Sequence, residues 1–151
     1  MRRLCAMGLA AFVGLFPVAR AQDRPDIFGT WRSVTTMNRG VTIAQNESSA
    51  ITISEHGGGR ISTCRLNGAG VEDTYAIAGR SWIVTSECRW MSGALVLEET
   101  HRNLATGQEW EGMRTFSLDL KTQNLVVMSV NAATVSPYMA TALESYRRAA
   151  P

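Results

Sequence analysis

The sequence has 151 residues, a length that suits one domain with a single hydrophobic core. Its 15 basic and 13 acidic residues give a formal net charge of only +2, and the basic residues form no stripe along the chain. This charge balance argues against a nucleic-acid partner.

The first 21 residues have the layout of a secretory signal peptide. Met1-Arg2-Arg3 is a short basic start, and residues 4–18 form an uncharged run rich in Ala, Leu, Phe and Gly. Ala19-Arg20-Ala21 then places small residues at the two positions that a signal peptidase reads. The apolar run is short for a membrane span and no second such run follows, so we expect cleavage after Ala21 and no stable membrane insertion afterwards. The sequence therefore predicts a periplasmic or secreted protein whose single domain comprises residues 22–151.

Alternation of apolar and polar residues with a period of two predicts β-strands over most of that domain. The predicted strands cover residues 29–37, 49–55, 60–66, 72–78, 81–91, 94–103, 109–119 and 124–131. The breaks carry turn residues, as in Asn38-Arg39-Gly40 and Ser92-Gly93, and residues 40–48 are expected to form a loop over one end. Eight short strands joined by tight turns predict an all-β fold, an eight-stranded antiparallel up-and-down (meander) barrel.

The last segment changes period and predicts a helix over residues 137–149, packed on the outside of the barrel. Ser136 suits the N-cap and Pro137 the first helical position. Arg147 and Arg148 fall in the last turn, where cations favour the helix dipole. The apolar residues at helical spacing are Met139, Leu143 and Tyr146. The apolar residues that this helix would cover on the last strand are Val126, Met128 and Val130.

Two tight turns predict which residues face each other. A two-residue turn at Ser92-Gly93 places Ser86 opposite Glu99, and one at Thr106-Gly107 places Glu99 opposite Arg114. With this register the apolar faces of three strands fall on one side, and a slip of one residue would destroy that agreement.

This predicted inner face combines tryptophans with a polar group. Its candidate ligand-binding residues are Trp82, Ser86, Trp90, Glu99, His101, Trp110, Arg114 and Phe116. Aromatic residues inside a small barrel either line a ligand cavity or fill the core. Likewise, Glu99 and Arg114 either orient a small ligand or form a structural ion pair near the rim.

Cys64 and Cys88 are the two cysteines of the expected mature chain, and in an exported protein they are expected to form a disulfide. The alternative is a pair of buried thiols. If residues 72–78 form a true strand, the two cysteines lie on next-nearest strands, and these strands are about 10 Å apart. A disulfide needs Cα atoms within about 7 Å of each other. Either 72–78 is not a proper strand, or strong curvature brings the cysteines together, or they stay reduced.

The layout resembles a known family. Gly29-Thr30-Trp31 opens the first predicted strand, and the predicted strands and the closing helix follow. This arrangement resembles the lipocalins and their wider calycin relatives, which start with Gly-x-Trp and form an eight-stranded barrel with a C-terminal helix outside. The resemblance covers residues 28–148 and implies that Trp31 plugs the closed end of the barrel. Residues 118–122, Leu-Asp-Leu-Lys-Thr, also resemble the final hairpin of bacterial lipocalin-like exported domains.

The sequence offers little for catalysis, so whether this is an enzyme stays open and a non-enzymatic role is favoured. Residues 56–59, His-Gly-Gly-Gly, match an esterase oxyanion loop, but the Gly-x-Ser-x-Gly elbow is missing. Glu98 and Glu99 are neighbours on a strand, so their carboxylates point to opposite faces. The chain has two histidines with no acidic cluster beside either, and we expect neither a metal nor a cofactor.

We therefore expect an exported protein that binds a small, largely apolar molecule inside a lipocalin-like barrel. The alternative is a protein-binding module, such as an inhibitor of proteases or lysozymes. A barrel isomerase or hydrolase that uses Glu99, His101 or Arg114 is a third, less favoured interpretation. An open, partly apolar interior would indicate a ligand carrier, and a filled barrel with an exposed rigid loop would indicate an inhibitor.

Overall fold

The computed structural model describes residues 24–46, 49–57, 60–66, 68–77, 79–133 and 139–150, and these residues form ten strands and no helix. The strands are β1 (Gly29–Ser33), β2 (Gly40–Gln45), β3 (Ala50–His56), β4 (Ile61–Arg65), β5 (Val71–Ile77), β6 (Arg80–Met91), β7 (Ala94–Asn103), β8 (Glu109–Leu118), β9 (Leu125–Ala133) and β10 (Met139–Arg148). Nothing helical in these ranges is long and apolar enough to cross a bilayer. The predicted signal segment, residues 1–21, lies outside the described residues.

The ten strands form one antiparallel sheet in the order β4-β3-β2-β1-β10-β9-β8-β7-β6-β5. The sheet curls into a nearly closed barrel, and a seam remains between the edge strands β4 and β5, which share no backbone ladder in the described residues. This architecture fits a calycin-like fold. The prediction of eight strands plus an external helix is wrong, because one segment predicted as a loop and one predicted as a helix both form strands.

The first of these segments is β2, which occupies most of the predicted loop 40–48. The predicted strand 29–37 instead ends at Ser33, where the chain turns and the Ser33 amide donates to the Arg39 carbonyl at 2.9 Å. Asn38 in this turn has a φ of 62°, a conformation that Asn tolerates better than most residues. After the turn, Val41 and Ile43 are 3% and 0% exposed and face the core, which stabilises the extra strand.

The second segment is β10, which replaces the predicted helix 137–149. It pairs with β9 along one edge and with β1 along the other, so it joins strands β1–β4 to strands β5–β9. Leu143 is 72% exposed and Tyr146 is 7% exposed, because residues three apart lie on opposite faces of a strand. The backbone pairing of β10 with β1 and β9 therefore outweighs the helical spacing of its apolar residues. Val126, Met128 and Val130 face outward as expected, and in the described structure no helix covers them.

The register of β6 on β7 confirms the two-residue turn at Ser92-Gly93, with Ser86 opposite Glu99. The register of β7 on β8 differs from the prediction by two residues, since Glu99 lies opposite Gly112 and not opposite Arg114. The reason is a longer loop: the Asn103 amide donates to the Gln108 carbonyl at 2.8 Å, and the Asn103 side chain accepts from two amides inside the loop. A shift of two residues preserves the faces, so the predicted inner face is correct.

The disulfide between Cys64 and Cys88 is present, with the Cα atoms 5.6 Å apart. The predicted strand 72–78 is also real, and the two observations agree because β5 is short. Its ladder on β6 ends at the pair Val71 and Ser86, so Cys88 lies beyond the end of β5 and faces β4 directly. The disulfide therefore crosses the seam where no strand intervenes.

The apolar half of the interior is filled. The buried cluster comprises Ile27, Trp31, Val41, Ile43, Ile51, Ile53, Cys64, Cys88, Leu95, Leu97, Phe116, Leu125, Val127 and Tyr146. Trp31 is 1% exposed, and its indole nitrogen donates to the carbonyl of Ile27, which is itself fully buried. We call this the closed end of the barrel. Arg148 lies at its surface, with the guanidinium carbon 4.5 Å from the centre of the Trp31 ring.

Candidate ligand site at the open end of the barrel

The other half of the interior is polar. Glu99 and His101 on β7 and Arg114 on β8 are 3%, 0% and 5% exposed, and they face Ser62 on β4. Arg60, immediately before β4, completes this polar cluster of Arg60, Ser62, Glu99, His101 and Arg114. Buried charges are costly unless they are paired, so the contacts of the cluster determine what it can do.

Glu99 is the centre of the cluster. One carboxylate oxygen accepts from Ser62 Oγ at 2.7 Å and Arg114 Nη2 at 2.9 Å, and the other accepts from Arg60 Nη2 at 2.6 Å and Arg114 Nε at 3.1 Å. Burial by itself would raise the pKa of Glu99, but the guanidinium groups of Arg114 and Arg60 outweigh burial and hold the pKa well below its usual range. Glu99 is therefore a carboxylate with no acceptor site left for another donor.

The two guanidinium groups outnumber the buried carboxylate. Arg114 bridges from Glu99 to Glu55 on β3, whose side chain is 36% exposed. Hydrogen bonds to described residues engage only Nη2 of Arg60, and its buried Nε has no partner among them. The cluster thus presents more hydrogen-bond donors than acceptors.

His101 is neutral in this arrangement. Its Nε2 lies 2.9 Å from Arg60 Nη2, and a guanidinium can only donate, so Nε2 carries no proton. The proton lies on Nδ1, which donates to the Tyr75 hydroxyl at 2.8 Å. The imidazole also stacks on Trp110 with the ring centres 3.6 Å apart. Burial lowers the pKa of His101, the carboxylate of Glu99 opposes this, and the positive charge of Arg60 strengthens the lowering.

A cavity of about 250 Å³ opens beside the cluster, at what we call the open end of the barrel. Its apolar floor is formed by Phe116, Val127 and the ring of Tyr146. The polar residues along its walls include Glu55, Arg60, Arg114, Ser129, Asn131 and Glu144. An apolar floor below convergent donors is an arrangement that can bind and orient a small amphipathic molecule.

Two larger depressions, of about 480 and 530 Å³, lie on the outer surface and are weaker candidates. The first is lined by exposed or half-exposed glutamates, Glu87, Glu98 and Glu111, and the second by the turn that precedes β2. We favour the inner cavity because the buried guanidinium of Arg114 meets an apolar floor there.

The predicted site residues are only partly brought together. Arg114 and Phe116 line the cavity, whereas Glu99, His101 and Trp110 lie behind the lining. Ser86 is fully buried, and its hydroxyl has no hydrogen-bond partner in the described structure. Trp82 stacks on Tyr75 at the open end, with the ring centres 6.4 Å apart. Trp90 packs against the core in the apolar half, under the guanidinium of Arg24, and is not part of the site.

Several cavity residues were not predicted from the sequence. Arg60 follows a glycine run that reads only as a turn, and Glu55 ends a predicted strand without any distinguishing pattern. Glu144 and Tyr146 were assigned to the helix, which would have placed them outside the barrel. No group of three or more His, Cys, Asp or Glu side chains in the described part of the chain is placed to hold a metal ion.

No family model matches the sequence, and no curated protein matches it. The fold and the cavity therefore carry the functional argument. A nearly closed β-barrel of this kind is compatible with ligand binding.

Proposed function

We propose that this protein is an exported, lipocalin-like barrel that binds a small amphipathic molecule with one anionic group. The anionic group lies between Arg60 and Arg114, and the apolar body packs on Phe116, Val127 and Tyr146. The signal-peptide pattern of residues 1–21 supports export, and so does the disulfide, because disulfides persist in oxidising compartments.

The surplus of donors at the cavity is the observation that supports an anion. Glu99 already accepts four hydrogen bonds, so it offers nothing to a ligand donor. Arg60 and Arg114 both touch this one buried carboxylate and both line the cavity. Arg114 also bonds to Ser62 Oγ and to Glu55, and Glu55 is partly exposed and can move aside. An oxyanion entering the cavity would therefore find charge-assisted hydrogen bonds that the protein does not satisfy internally.

A protein-binding module is the second candidate, and the filled apolar half of the barrel favours it. The cavity of about 250 Å³ is smaller than the roughly 300–1,000 Å³ of typical ligand pockets. An acidic side chain presented by a partner protein would use the same two arginines. Native mass spectrometry of protein purified from its own host separates the candidates, since it would show either a bound small molecule or a bound protein.

Calorimetric titration with a matched pair of compounds tests the proposal. Benzenesulfonate is an anion at all accessible pH values, and benzenesulfonamide has the same shape without the charge. We expect benzenesulfonate to bind at least roughly tenfold more tightly, since one charge-assisted hydrogen bond contributes about 1.5–3 kcal/mol.

Two variants identify the site of binding. Arg60→Gln should weaken benzenesulfonate binding at least roughly tenfold for the same reason. Arg89→Gln is the control, because Arg89 pairs with Glu98 on the outer face. Equal binding of the two compounds, or equal binding by the two variants, would contradict the anion site.

A further inference from the structure

The polar cluster contains a proton site that is coupled to Arg60. His101 Nε2 accepts from Arg60 Nη2, and the same nitrogen lies 3.9 Å from a carboxylate oxygen of Glu99. Arg60 Nη2 itself lies 2.6 Å from that oxygen. Arg60 therefore occupies the position that a protonated His101 would need in order to donate to Glu99.

Protonation of His101 is incompatible with the observed contact. A proton on Nε2 would point at a guanidinium that has no lone pair to accept it, and two positive charges would lie within hydrogen-bond distance. Nε2 lies only 3.9 Å from the Glu99 oxygen, so a small movement of the imidazole ring lets protonated His101 replace Arg60 as a donor to Glu99. Arg60 would then be free to turn towards the cavity, whose wall it already forms.

We propose that His101 is a positioning residue that couples proton uptake to anion binding, so that the barrel binds an anionic ligand more tightly as the pH falls. This inference rests on the proposed function. When His101 is neutral, Arg60 is held on Glu99 and His101. When His101 is protonated, Arg60 is released to the ligand, and the added positive charge of the cluster is balanced by the anion.

The groups that face His101 support this coupling. Arg60 and Arg114 are positive, Glu99 is the one carboxylate in the cluster, and Tyr75 on β5 contributes a hydroxyl. Val84, opposite on β6, is uncharged. Asp73 also lies on the inner face of β5, but its carboxylate accepts from the Thr63 amide at 2.8 Å. A second proton on His101 would therefore lie beside two guanidinium groups and the carboxylate of Glu99, while the Asp73 carboxylate is engaged by the Thr63 amide, and an incoming anion would stabilise the added charge.

Benzenesulfonate titrations between about pH 8 and about pH 5 test the coupling, since the probe keeps its charge throughout. We expect binding to become about tenfold tighter over this range, accompanied by proton uptake measured in two buffers of different ionisation enthalpy. By reciprocity, saturating benzenesulfonate should raise the pKa of His101 in an NMR titration of the intact protein, a readout that needs no variant.

The two histidines of the chain provide a matched pair of variants. His101→Gln should bind benzenesulfonate without proton uptake and with an affinity that no longer depends on pH. His56 also lines the cavity and bonds to the Thr42 hydroxyl at 2.8 Å, but the histidine that contacts Arg60 is His101, so His56→Gln should keep the proton uptake.

The outcomes separate this inference from the proposed function. If benzenesulfonate fails to bind at any pH, the proposed anion site is wrong, and the coupling is wrong with it. If benzenesulfonate binds but the pKa of His101 does not rise, or if His101→Gln still takes up a proton, the site stands and the coupling alone is overturned. Weaker binding at low pH would also overturn the coupling, because it would show that Arg60, once released from Glu99, does not reach the ligand.

Discussion

At the scale of single residues, the central feature of this barrel is a buried carboxylate shared by two arginines. Glu99 and Arg114 lie on the same face, although not directly opposite each other, and they form two hydrogen bonds. Each charge is tolerated inside only because the other is present. Removing one partner therefore exposes the cost of burying the other.

Arg114→Met should reduce the free energy of unfolding by about 3–5 kcal/mol, the usual cost of breaking a buried ion pair by removing one partner. Glu99 would keep Ser62 and Arg60 but lose both bonds from Arg114. Urea denaturation measures the loss. The double variant with Glu99→Gln should be less destabilised than the sum of the two single changes, and simple additivity would show that the pair is not coupled.

Trp31→Ala should reduce the free energy of unfolding by about 3–5 kcal/mol, because it removes a large, fully packed side chain. Trp31 is 1% exposed and its indole nitrogen donates to the Ile27 carbonyl, so its loss would leave a cavity and an unpaired carbonyl at the closed end. A loss below roughly 1 kcal/mol in chemical denaturation would show that Trp31 does not hold this end together.

The stability of the protein should fall in two steps as the pH is lowered. The pKa of His101 lies below its ordinary value of 6.5, so from about that pH downward the unfolded chain takes up a proton that the folded protein resists. The pKa of Glu99 lies far below its ordinary value of 4.5, so a second loss begins in more acidic solution. Thermal unfolding across pH measures both steps. His101→Gln should remove the loss of stability that begins near pH 6.5. If this loss persists in the variant, another group causes it.

At the scale of strands, β10 determines whether the sheet can close. It gives β1 and β9 a shared neighbour and so satisfies backbone groups on both. The same residues in a helix would leave β1 and β9 as open edges. The sequence interpretation failed here because a spacing of four and three residues was taken as helical, while the competing pairing with β1 joins residues that are distant in sequence.

Leu143 and Tyr146 test the strand directly, because a helix would place them on one face and a strand places them on two. Leu143→Ser should change the free energy of unfolding by less than about 0.5 kcal/mol, since Leu143 is 72% exposed. Tyr146→Ala should cost about 3 kcal/mol or more, since its ring belongs to the core. Equal losses in urea denaturation would favour the helix.

At the scale of the whole molecule, the barrel has two unlike halves and one seam. The apolar half is packed, and the polar half holds the cavity. Across the seam, the disulfide and the bond from the Thr63 amide to the Asp73 carboxylate take the place of a backbone ladder. These links connect the first four strands to the last six on the side away from the contact between β1 and β10.

Replacing both Cys64 and Cys88 by Ala should cost about 3.5 kcal/mol, the loop-closure entropy expected for cysteines 24 residues apart. The nine ladders of the sheet do not involve the disulfide, so the circular dichroism of the sheet should persist at low temperature. Unchanged stability in denaturation would show that the seam is held by its other contacts.

The amino-acid sequence by itself determined the strand character of eight of the ten strands, the inner face of β6, β7 and β8, and the residues that gather there. This succeeded because alternation with a period of two and a two-residue turn are local properties of the chain. Arg114 and Glu99 were placed on one face for that reason, even though their register was displaced by two residues.

Only the tertiary structure decided the strand number, the closure of the barrel and the cavity. Strand β10 forms because β1 and β9 are both available to pair with it, and Arg60 meets Glu99 and His101 because the curvature of the sheet brings β4 across to β7. The two contacts of Arg60 join residues 39 and 41 positions apart, which no local pattern encodes. The disulfide formed for a similar reason, since the point at which β5 ends is a property of the folded sheet.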